Sequence, residues 1–159
     1  MAQPRGLIDN ATPSANSIGA DVLQRLALLT GEEEMQRRAQ AILRAVAPAI
    51  GRQPSAFGRM LCAADRLLGE QIDVVVAGDG ASPGARALRE AAGVPYVPDL
   101  VLTGVSDGDP HATWPLYVAK GVRDGLPTAY ACRGYACDEP TTDPVRLAEE
   151  VRRLGAVTA

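Results

Sequence analysis

The sequence has no apolar run long enough to cross a bilayer and no cluster of lysines and arginines. A membrane-spanning helix needs about 20 apolar residues in succession, and a nucleic-acid-binding surface needs a basic patch. We therefore expect neither a membrane nor a nucleic acid as a partner. Aromatic residues make up only 4% of the chain, which leaves little material for a platform on which bases or sugars stack.

Cysteine and histidine are also scarce, with three cysteines and one histidine in the chain. The spacing of Cys62, His111, Cys132 and Cys137 matches no common zinc site. His111 lies far from the serine-rich N-terminal segment, so the sequence contains no recognisable Ser-His-Asp set. We predict no metal site and no cofactor, and we do not expect this chain to be an active enzyme on its own.

The start of the chain and its few cysteines together predict a cellular location. Residues 1–6 have neither the charged segment nor the apolar segment of a signal peptide. Three cysteines in a chain without an export signal favour a reducing compartment. We therefore expect a cytoplasmic protein.

Apolar residues recur at helical spacing in three stretches before residue 69. The linkers at 30–33 and 51–54 are short, and short loops force neighbouring helices to run antiparallel. Residues 1–69 are therefore predicted to form antiparallel helical hairpins, with a capping box of Thr30 and Glu33 at the second helix. The periodic positions are Ile18, Val22, Leu26 and Leu29; Met35, Ala39, Ile42, Val46 and Ile50; and Phe57, Leu61, Ala64 and Leu68.

From residue 70 onward, short β-branched runs alternate with helical patterns. Strands are predicted over 73–77, 99–103 and 128–132, and helices over 82–92, 114–121 and from 143 onward. Strands that alternate with helices favour a parallel sheet covered on both faces. Residues 70–159 are therefore predicted to form a small three-layer α/β lobe with a mostly parallel sheet, and the whole chain is mixed α/β.

A polar segment, residues 9–17, directly precedes the first predicted helix. Helix capping by Ser14 or Asn16 is one explanation, because serine and asparagine accept hydrogen bonds from the first free backbone N–H groups. The alternative is a ligand pocket at the helix N-terminus. Its candidate residues are Asp9, Ser14, Asn16 and Ser17.

Cys132 and Cys137 lie between a predicted strand and a capped helix. Four intervening residues do not match the Cys-x-x-Cys geometry of a helix-opening redox centre. Two structural explanations compete: the cysteines are small core side chains, or they lie in a turn that brings two unreactive thiols together. An accessory thiol/disulfide redox role through Cys132 and Cys137 is the functional alternative.

Gly78 and Gly80 follow the first predicted strand and precede a helix, as in a phosphate-binding turn. The spacing departs from G-x-G-x-x-G by one residue, and no acidic residue follows the second strand in the place that contacts a ribose. A tight turn explains both glycines. A small nucleotide-binding α/β domain is the weaker alternative.

Two motifs at the ends of the chain resemble one family. Residues 9–17 resemble the segment D-x-A-x-P-S-G-N-S of the YyaL-type, spermatogenesis-associated protein 20-like family, with Ala15 in place of the usual glycine. Residues 130–144 resemble its closing segment Y-x-C-x-x-x-x-C-x-x-P-V-T-D-P, with Thr141 in place of the usual valine. The resemblance covers nearly the whole chain.

The resemblance implies a position within a larger architecture. Members of the family have a thioredoxin-like domain, then an α/α toroid similar to six-hairpin glycosidases, then an α/β tail. Residues 1–69 would be an arc of the toroid, and residues 70–159 would be the α/β tail. Such a module is expected to be non-catalytic alone and to contribute to a polar, sugar-like ligand pocket or to an interaction surface.

The same architecture implies a partner. Helices taken from a toroid expose apolar faces that neighbouring hairpins cover, and large exposed apolar patches mark interfaces. We therefore expect self-association, or docking with the thioredoxin-like and toroid portion.

Overall fold

The computed structural model describes residues 6–134 and 136–156. The described chain divides into a helical unit that ends at Gly69 and an α/β unit that begins at Glu70. The prediction that no signal peptide is present rests mainly on residues 1–5, which lie outside the described residues. The mixed α/β class is confirmed.

The helical unit contains three α-helices at the predicted positions: α1 (Ala15–Thr30), α2 (Glu33–Arg52) and α3 (Gly58–Leu68). A short 3₁₀ turn, Pro54–Ala56, lies between α2 and α3. Ser14 caps α1 by accepting a hydrogen bond from the Ser17 N–H. That these helices form an arc of a toroid stays a prediction.

The predicted capping box at α2 is wrong. The N-cap of α2 is Glu32, whose side chain makes no capping hydrogen bond. Thr30 is the last residue of α1, and its hydroxyl donates to the Leu26 carbonyl. The left-handed backbone of Gly31, at φ 73°, ends α1 one residue later, so Thr30 belongs to the preceding helix.

The face that α1 buries differs from the face that its periodicity predicts. Ile18, Val22 and Leu26 are 41%, 44% and 36% exposed. The buried residues of α1 are Ser17, Ala20, Asp21 and Gln24. Polar contacts hold this face against α3, including a 2.9 Å hydrogen bond from Gln24 Nε2 to the Ala63 carbonyl. Elsewhere the unit has an ordinary apolar core, formed by Ala20, Leu43, Val46, Phe57, Met60 and Ala63.

The α/β unit contains a four-stranded sheet in the order β2-β1-β3-β4. Its elements are β1 (Ile72–Ala77), α4 (Pro83–Gly93), β2 (Leu100–Val105), β3 (Thr128–Arg133), β4 (Ala136–Cys137) and α5 (Pro144–Gly155). The three predicted strands and the helices capped by Ser82 and Asp143 are present, whereas β4 was not predicted.

The predicted mostly parallel sheet is wrong, because among the strands in the described residues only β1 and β2 pair in parallel, while β1–β3 and β3–β4 are antiparallel. Ala77 is paired with both Val105, where β2 ends, and Thr128, where β3 begins. The end of β2 and the start of β3 therefore lie at the same end of the sheet, so the connection between them does not cross the sheet. A parallel β3 would have required a crossover along the whole sheet.

Helices cover one face of the sheet. α4 and α5 share a core with alternate residues of β1, including Ile72, Val74 and Val76. The irregular segment 106–127 contacts the opposite face, since Tyr117 Oη lies 2.6 Å from Thr103 Oγ1 and Lys120 Nζ lies 3.5 Å from Asp73 Oδ2. In this segment the predicted helix over 114–121 is a series of turns. Ala119 has a positive φ of 62°, which a continuing α-helix does not accommodate. The expected third layer is thus irregular.

None of the helices in the described ranges is both long enough and apolar enough to cross a membrane.

Candidate functional site

Asp9 joins the starts of two helices. Its Oδ1 accepts hydrogen bonds from the Ser14 N–H at 2.8 Å and the Ser17 hydroxyl at 2.5 Å. Its Oδ2 accepts from the Met60 N–H at 3.0 Å, in the first turn of α3. The carboxylate thus caps α3 from a distant part of the chain, and the N-terminal dipole of that helix favours its negative charge.

The same contacts set the protonation of Asp9. Burial acts to raise the pKa of Asp9, but hydrogen bonds from the Ser17 hydroxyl and from backbone N–H groups, including those of Ser14 and Met60, outweigh it. The net effect lowers the pKa of Asp9 from its ordinary value of 3.8. Hydrogen bonds to the charged form stabilise it, so the native fold holds Asp9 as a carboxylate.

The structure therefore brings together three of the four residues predicted to bind a ligand. Asp9, Ser14 and Ser17 hydrogen-bond one another, with Ser14 Oγ 2.6 Å from Ser17 Oγ. Asn16 is partly exposed, and its Nδ2 donates to the Gly6 carbonyl at 3.2 Å. Since the Asp9 oxygens already accept bonds from the chain itself, this cluster resembles a structural capping network more than a vacant binding site.

An open groove lies nearby in the helical unit, with a volume of about 440 Å³. The four predicted ligand residues, Asp9, Ser14, Asn16 and Ser17, are not among the described residues that line this groove. Its lining residues are Gly6, Leu7, Ile8, Asn10, Ala49, Arg52, Gln53 and Phe57.

Asp21 is the centre of a charged cluster that sequence analysis missed. Arg66 Nε lies 3.1 Å from its Oδ1, while Arg59 Nη2 and Arg25 Nε lie 2.5 Å and 3.1 Å from its Oδ2. The side chains of Asp21 and Arg66 are only 9% and 3% exposed. Asp21 and Arg25 have the spacing of a helix-surface pair, but no sequence pattern indicated the contacts with α3.

Cys132 and Cys137 form a disulfide that joins β3 to β4. The two residues stand directly opposite each other in the antiparallel register. Cys132 is 1% exposed, whereas Cys137 is exposed. Cys62 is a free, exposed cysteine on α3. An attacking thiolate would therefore have access to the disulfide from the Cys137 side.

Asp73 is a buried carboxyl group in the middle of the same sheet. It is 4% exposed, and its Oδ2 lies 3.5 Å from Lys120 Nζ. Burial raises the pKa of Asp73 above 3.8, and the neighbouring Lys120 ammonium opposes part of that effect. A charged residue inside the β-branched run 72–77 was the one sequence signal for it.

Other parts of the chain pack closely against the glycine-rich turn that follows β1. Gly78 has φ 127°, and a Cβ placed there would lie 3.3 Å from Pro127, as would one placed on Gly84. Arg89 Nη2 donates to the Gly80 carbonyl at 2.7 Å. These contacts explain Gly78 and Gly84 by close packing and the left-handed backbone.

Within the described parts of the chain, no group of three His, Cys, Asp or Glu side chains has an arrangement that would hold a metal ion. His111 instead packs against Trp114, with ring centroids 4.2 Å apart.

Comparison with curated proteins identifies relatives of the chain. Human spermatogenesis-associated protein 20 is 32% identical over 143 residues, which cover 87% of this chain and 18% of the human protein. The chain is homologous to spermatogenesis-associated protein 20. The rat spermatogenesis-associated protein 20 is also 32% identical over the same share, and an uncharacterized Caenorhabditis elegans protein is 27% identical over 92% of this chain and 20% of its own length.

The relationship to spermatogenesis-associated protein 20 confirms the family resemblance of the two end motifs. The chain spans about 18% of the length of these mammalian relatives. No protein-family model matches the chain. No solved structure matches it significantly.

Proposed function

We propose that the chain is a non-catalytic, C-terminal module of a spermatogenesis-associated protein 20-like protein, and that α1 provides an interaction surface. The observation that supports this proposal is the row of Ile18, Val22 and Leu26 on α1, which are 41%, 44% and 36% exposed. We call these three residues the α1 stripe. Scattered exposed apolar residues are normal, but three that follow one another at one-turn spacing form a continuous ridge.

On α1, polar residues dominate the buried face and a row of apolar residues lies on the exposed face. The helix packs its polar residues Ser17, Asp21 and Gln24 against its own unit and exposes Ile18, Val22 and Leu26. A helix at a free surface ordinarily does the opposite, because apolar area in water costs about 25 cal/mol per Å². The arrangement is favourable when a partner covers the α1 stripe.

The proposed partner is a further helical hairpin of the same family architecture. The chain spans only 18% of the human relative, so most of that protein lies outside the matched segment. Neighbouring helices in an α/α toroid pack through such ridges. Other large apolar side chains that the helical unit exposes are Leu7, Ile8, Leu61 and Leu68, which would enlarge the buried area.

A polar, sugar-like ligand pocket at Asp9, Ser14, Asn16 and Ser17 is the less favoured form of this proposal. The Asp9 oxygens accept bonds from Ser14, Ser17 and Met60. A ligand hydroxyl would have to compete with these bonds. Asn16, which is partly exposed and lies outside the network of Asp9, Ser14 and Ser17, is the residue of the four best placed to contact a ligand.

The α1 stripe predicts self-association when no other helix is supplied. We expect the purified chain to show a weight-average mass that rises with concentration in size-exclusion chromatography with light scattering. Val22→Glu places a charge in the middle of the stripe and should weaken association by at least about tenfold. A chain that remains monomeric up to its solubility limit contradicts the proposal.

Val145→Glu is the matched control for this experiment. Val145 lies on α5 and is 68% exposed, so it makes the same chemical change on a helix outside the proposed surface. It should associate like the unmodified chain. Equal weakening by both substitutions would indicate a non-specific effect of charge and would also count against the α1 stripe.

A thiol/disulfide role is a second candidate function, because Cys132 and Cys137 are bonded and one of the two is exposed. Exchange requires a thiolate to reach one sulfur atom. Cys137 offers such access, while the buried Cys132 is the leaving group.

This second function predicts reduction in the native state. Before dithiothreitol is added, Cys62 should be the thiol that reacts with a chromogenic disulfide reagent, and Cys62→Ser should remove that background. After dithiothreitol, two further thiols should appear while the far-ultraviolet circular dichroism is unchanged. Appearance of these thiols only when the chain unfolds would assign the disulfide a purely structural role.

A further inference from the structure

A single row of side chains crosses the sheet and ends at the disulfide. The register places Asp73 opposite Val101 on β2 and opposite Cys132 on β3, and it places Cys132 opposite Cys137 on β4. Directly opposed residues point to the same face, with Cβ atoms about 4.5–5.5 Å apart. This face is the one that segment 106–127 contacts, since Ile72 and Val74 point toward the helices.

We propose that Asp73, supported by Lys120, donates a proton to Cys132 when an external dithiol opens the Cys132–Cys137 disulfide at Cys137. The inference rests on the thiol/disulfide function proposed above. It assigns unequal roles to the two sulfur atoms and adds a residue on β1 to their chemistry.

Cys132 needs such a donor because of where it lies. It is 1% exposed, and burial in apolar surroundings disfavours a thiolate. When the disulfide opens at Cys137, the electron pair of the broken bond is left on Cys132. Water has little access to this position, so a proton must come from a neighbouring side chain.

Asp73 is suited to supply that proton. Its burial raises its pKa, so the acid form persists to a higher pH than in an exposed aspartate. Lys120 Nζ, 3.5 Å away, stabilises the carboxylate that remains after transfer.

Other polar groups on this face are already engaged. Tyr130 Oη donates to the Gly121 carbonyl at 2.8 Å, and Tyr117 Oη lies 2.6 Å from Thr103 Oγ1. On β2, Val101 offers no proton. Asp73 is therefore the acidic group that the register places beside Cys132.

Reduction proceeds by two successive thiol–disulfide exchanges. One thiolate of the dithiol bonds to Cys137 Sγ, the S–S bond breaks, and its electron pair goes to Cys132 Sγ. Asp73 transfers its proton to that sulfur and later regains one from solvent. The second thiolate of the reductant attacks its own bonded sulfur and releases Cys137, which takes a proton from water. The dithiol is oxidised to a cyclic disulfide, and the protein gains two electrons and two protons.

The test follows reduction of the full chain by dithiothreitol over a pH series, with rates expressed per reductant thiolate. The unmodified chain should react faster at low pH, where Asp73 is protonated, and slower as Asp73 ionises. Asp73→Asn should remove this dependence and react about 100-fold more slowly at low pH, at the lower end of general-acid effects. A merely loosened structure would expose Cys132 and react faster.

Two further variants sharpen the result. Lys120→Met removes the charge that favours the Asp73 carboxylate, so the fall in rate should move to higher pH without a loss at low pH. Asp138→Asn makes the same chemical change beside Cys137, on a residue paired with Arg153 at the surface, and should leave the profile unchanged.

The outcomes separate the two proposals. If dithiothreitol does not reduce the native chain at all, the thiol/disulfide function fails and this inference fails with it. If the native chain is reduced but Asp73→Asn has the same rate and pH profile, only the role of Asp73 is overturned.

Discussion

Asp21→Ala is expected to destabilise the helical unit by about 3–5 kcal/mol, the usual cost of removing one partner of a buried ion pair. Asp21 accepts contacts from Arg25, Arg59 and Arg66, and the Arg66 side chain is only 3% exposed. Without the carboxylate, three guanidinium groups remain close together with less compensation for their charge. Urea unfolding followed by circular dichroism at 222 nm measures the change.

Two control variants test whether the loss of stability comes from the burial of the Asp21 cluster or from the loss of any charged contact. Glu34 also contacts two arginines, Arg37 and Arg38, but its side chain is 54% exposed. Glu34→Ala should leave the unfolding midpoint nearly unchanged, because solvent screens exposed pairs. The double variant Asp21→Leu with Arg66→Met should recover much of the lost stability, since apolar groups of similar size often replace a buried pair well. Equal midpoints for Asp21→Ala and the unmodified chain would contradict the argument.

Local signals in the sequence predicted the elements of the α/β unit well. Ser82 and Asp143 each precede a proline at the start of a helix, and both cap their helices as expected. The β-branched run of β1 is buried throughout. These features depend on neighbouring residues, so a single sequence is sufficient to identify them.

Local sequence patterns did not predict whether β3 runs parallel or antiparallel to β1. The same residues, Thr128 to Cys132, would form an equally good strand in either direction. The direction is set by the 106–127 connection, which contains no regular element in the structure. The sequence predicted a helix over 114–121 within this connection, and a helical crossover would have favoured a parallel strand.

The apolar periodicity also did not predict which face of α1 is buried. The apolar spacing of Ile18, Val22 and Leu26 located the helix correctly, but the buried face is set by contacts far apart in the chain. Asp21 and Arg66 are 45 residues apart, and Asp9 and Met60 are 51 residues apart. Such pairings of polar groups leave no periodic trace, so the sequence indicated the polar segment around Asp9 but not its contact with Met60.

Asp9→Ala is expected to destabilise the helical unit by about 3 kcal/mol, since a hydrogen bond to a charged group contributes about 1.5–3 kcal/mol and the loss here leaves several donors unpaired. The Ser14 and Met60 N–H groups and the Ser17 hydroxyl all donate to this carboxylate. Asp9→Asn retains one acceptor oxygen and should lose less. Chemical unfolding at neutral pH ranks the two variants.

Acidification tests the same contacts without changing the chain's covalent structure. The native pKa of Asp9 is lowered from 3.8, so below that ordinary value the unfolded state binds its proton more readily than the native state. The contribution of Asp9 is therefore fully present above 3.8 and is lost as the pH falls through the lower native pKa. Asp9→Asn has no such proton to bind, so the difference in unfolding free energy between it and the unmodified chain should shrink on acidification. A difference that stays constant from neutral to acidic pH would show that the Asp9 carboxylate does not stabilise the junction of α1 and α3.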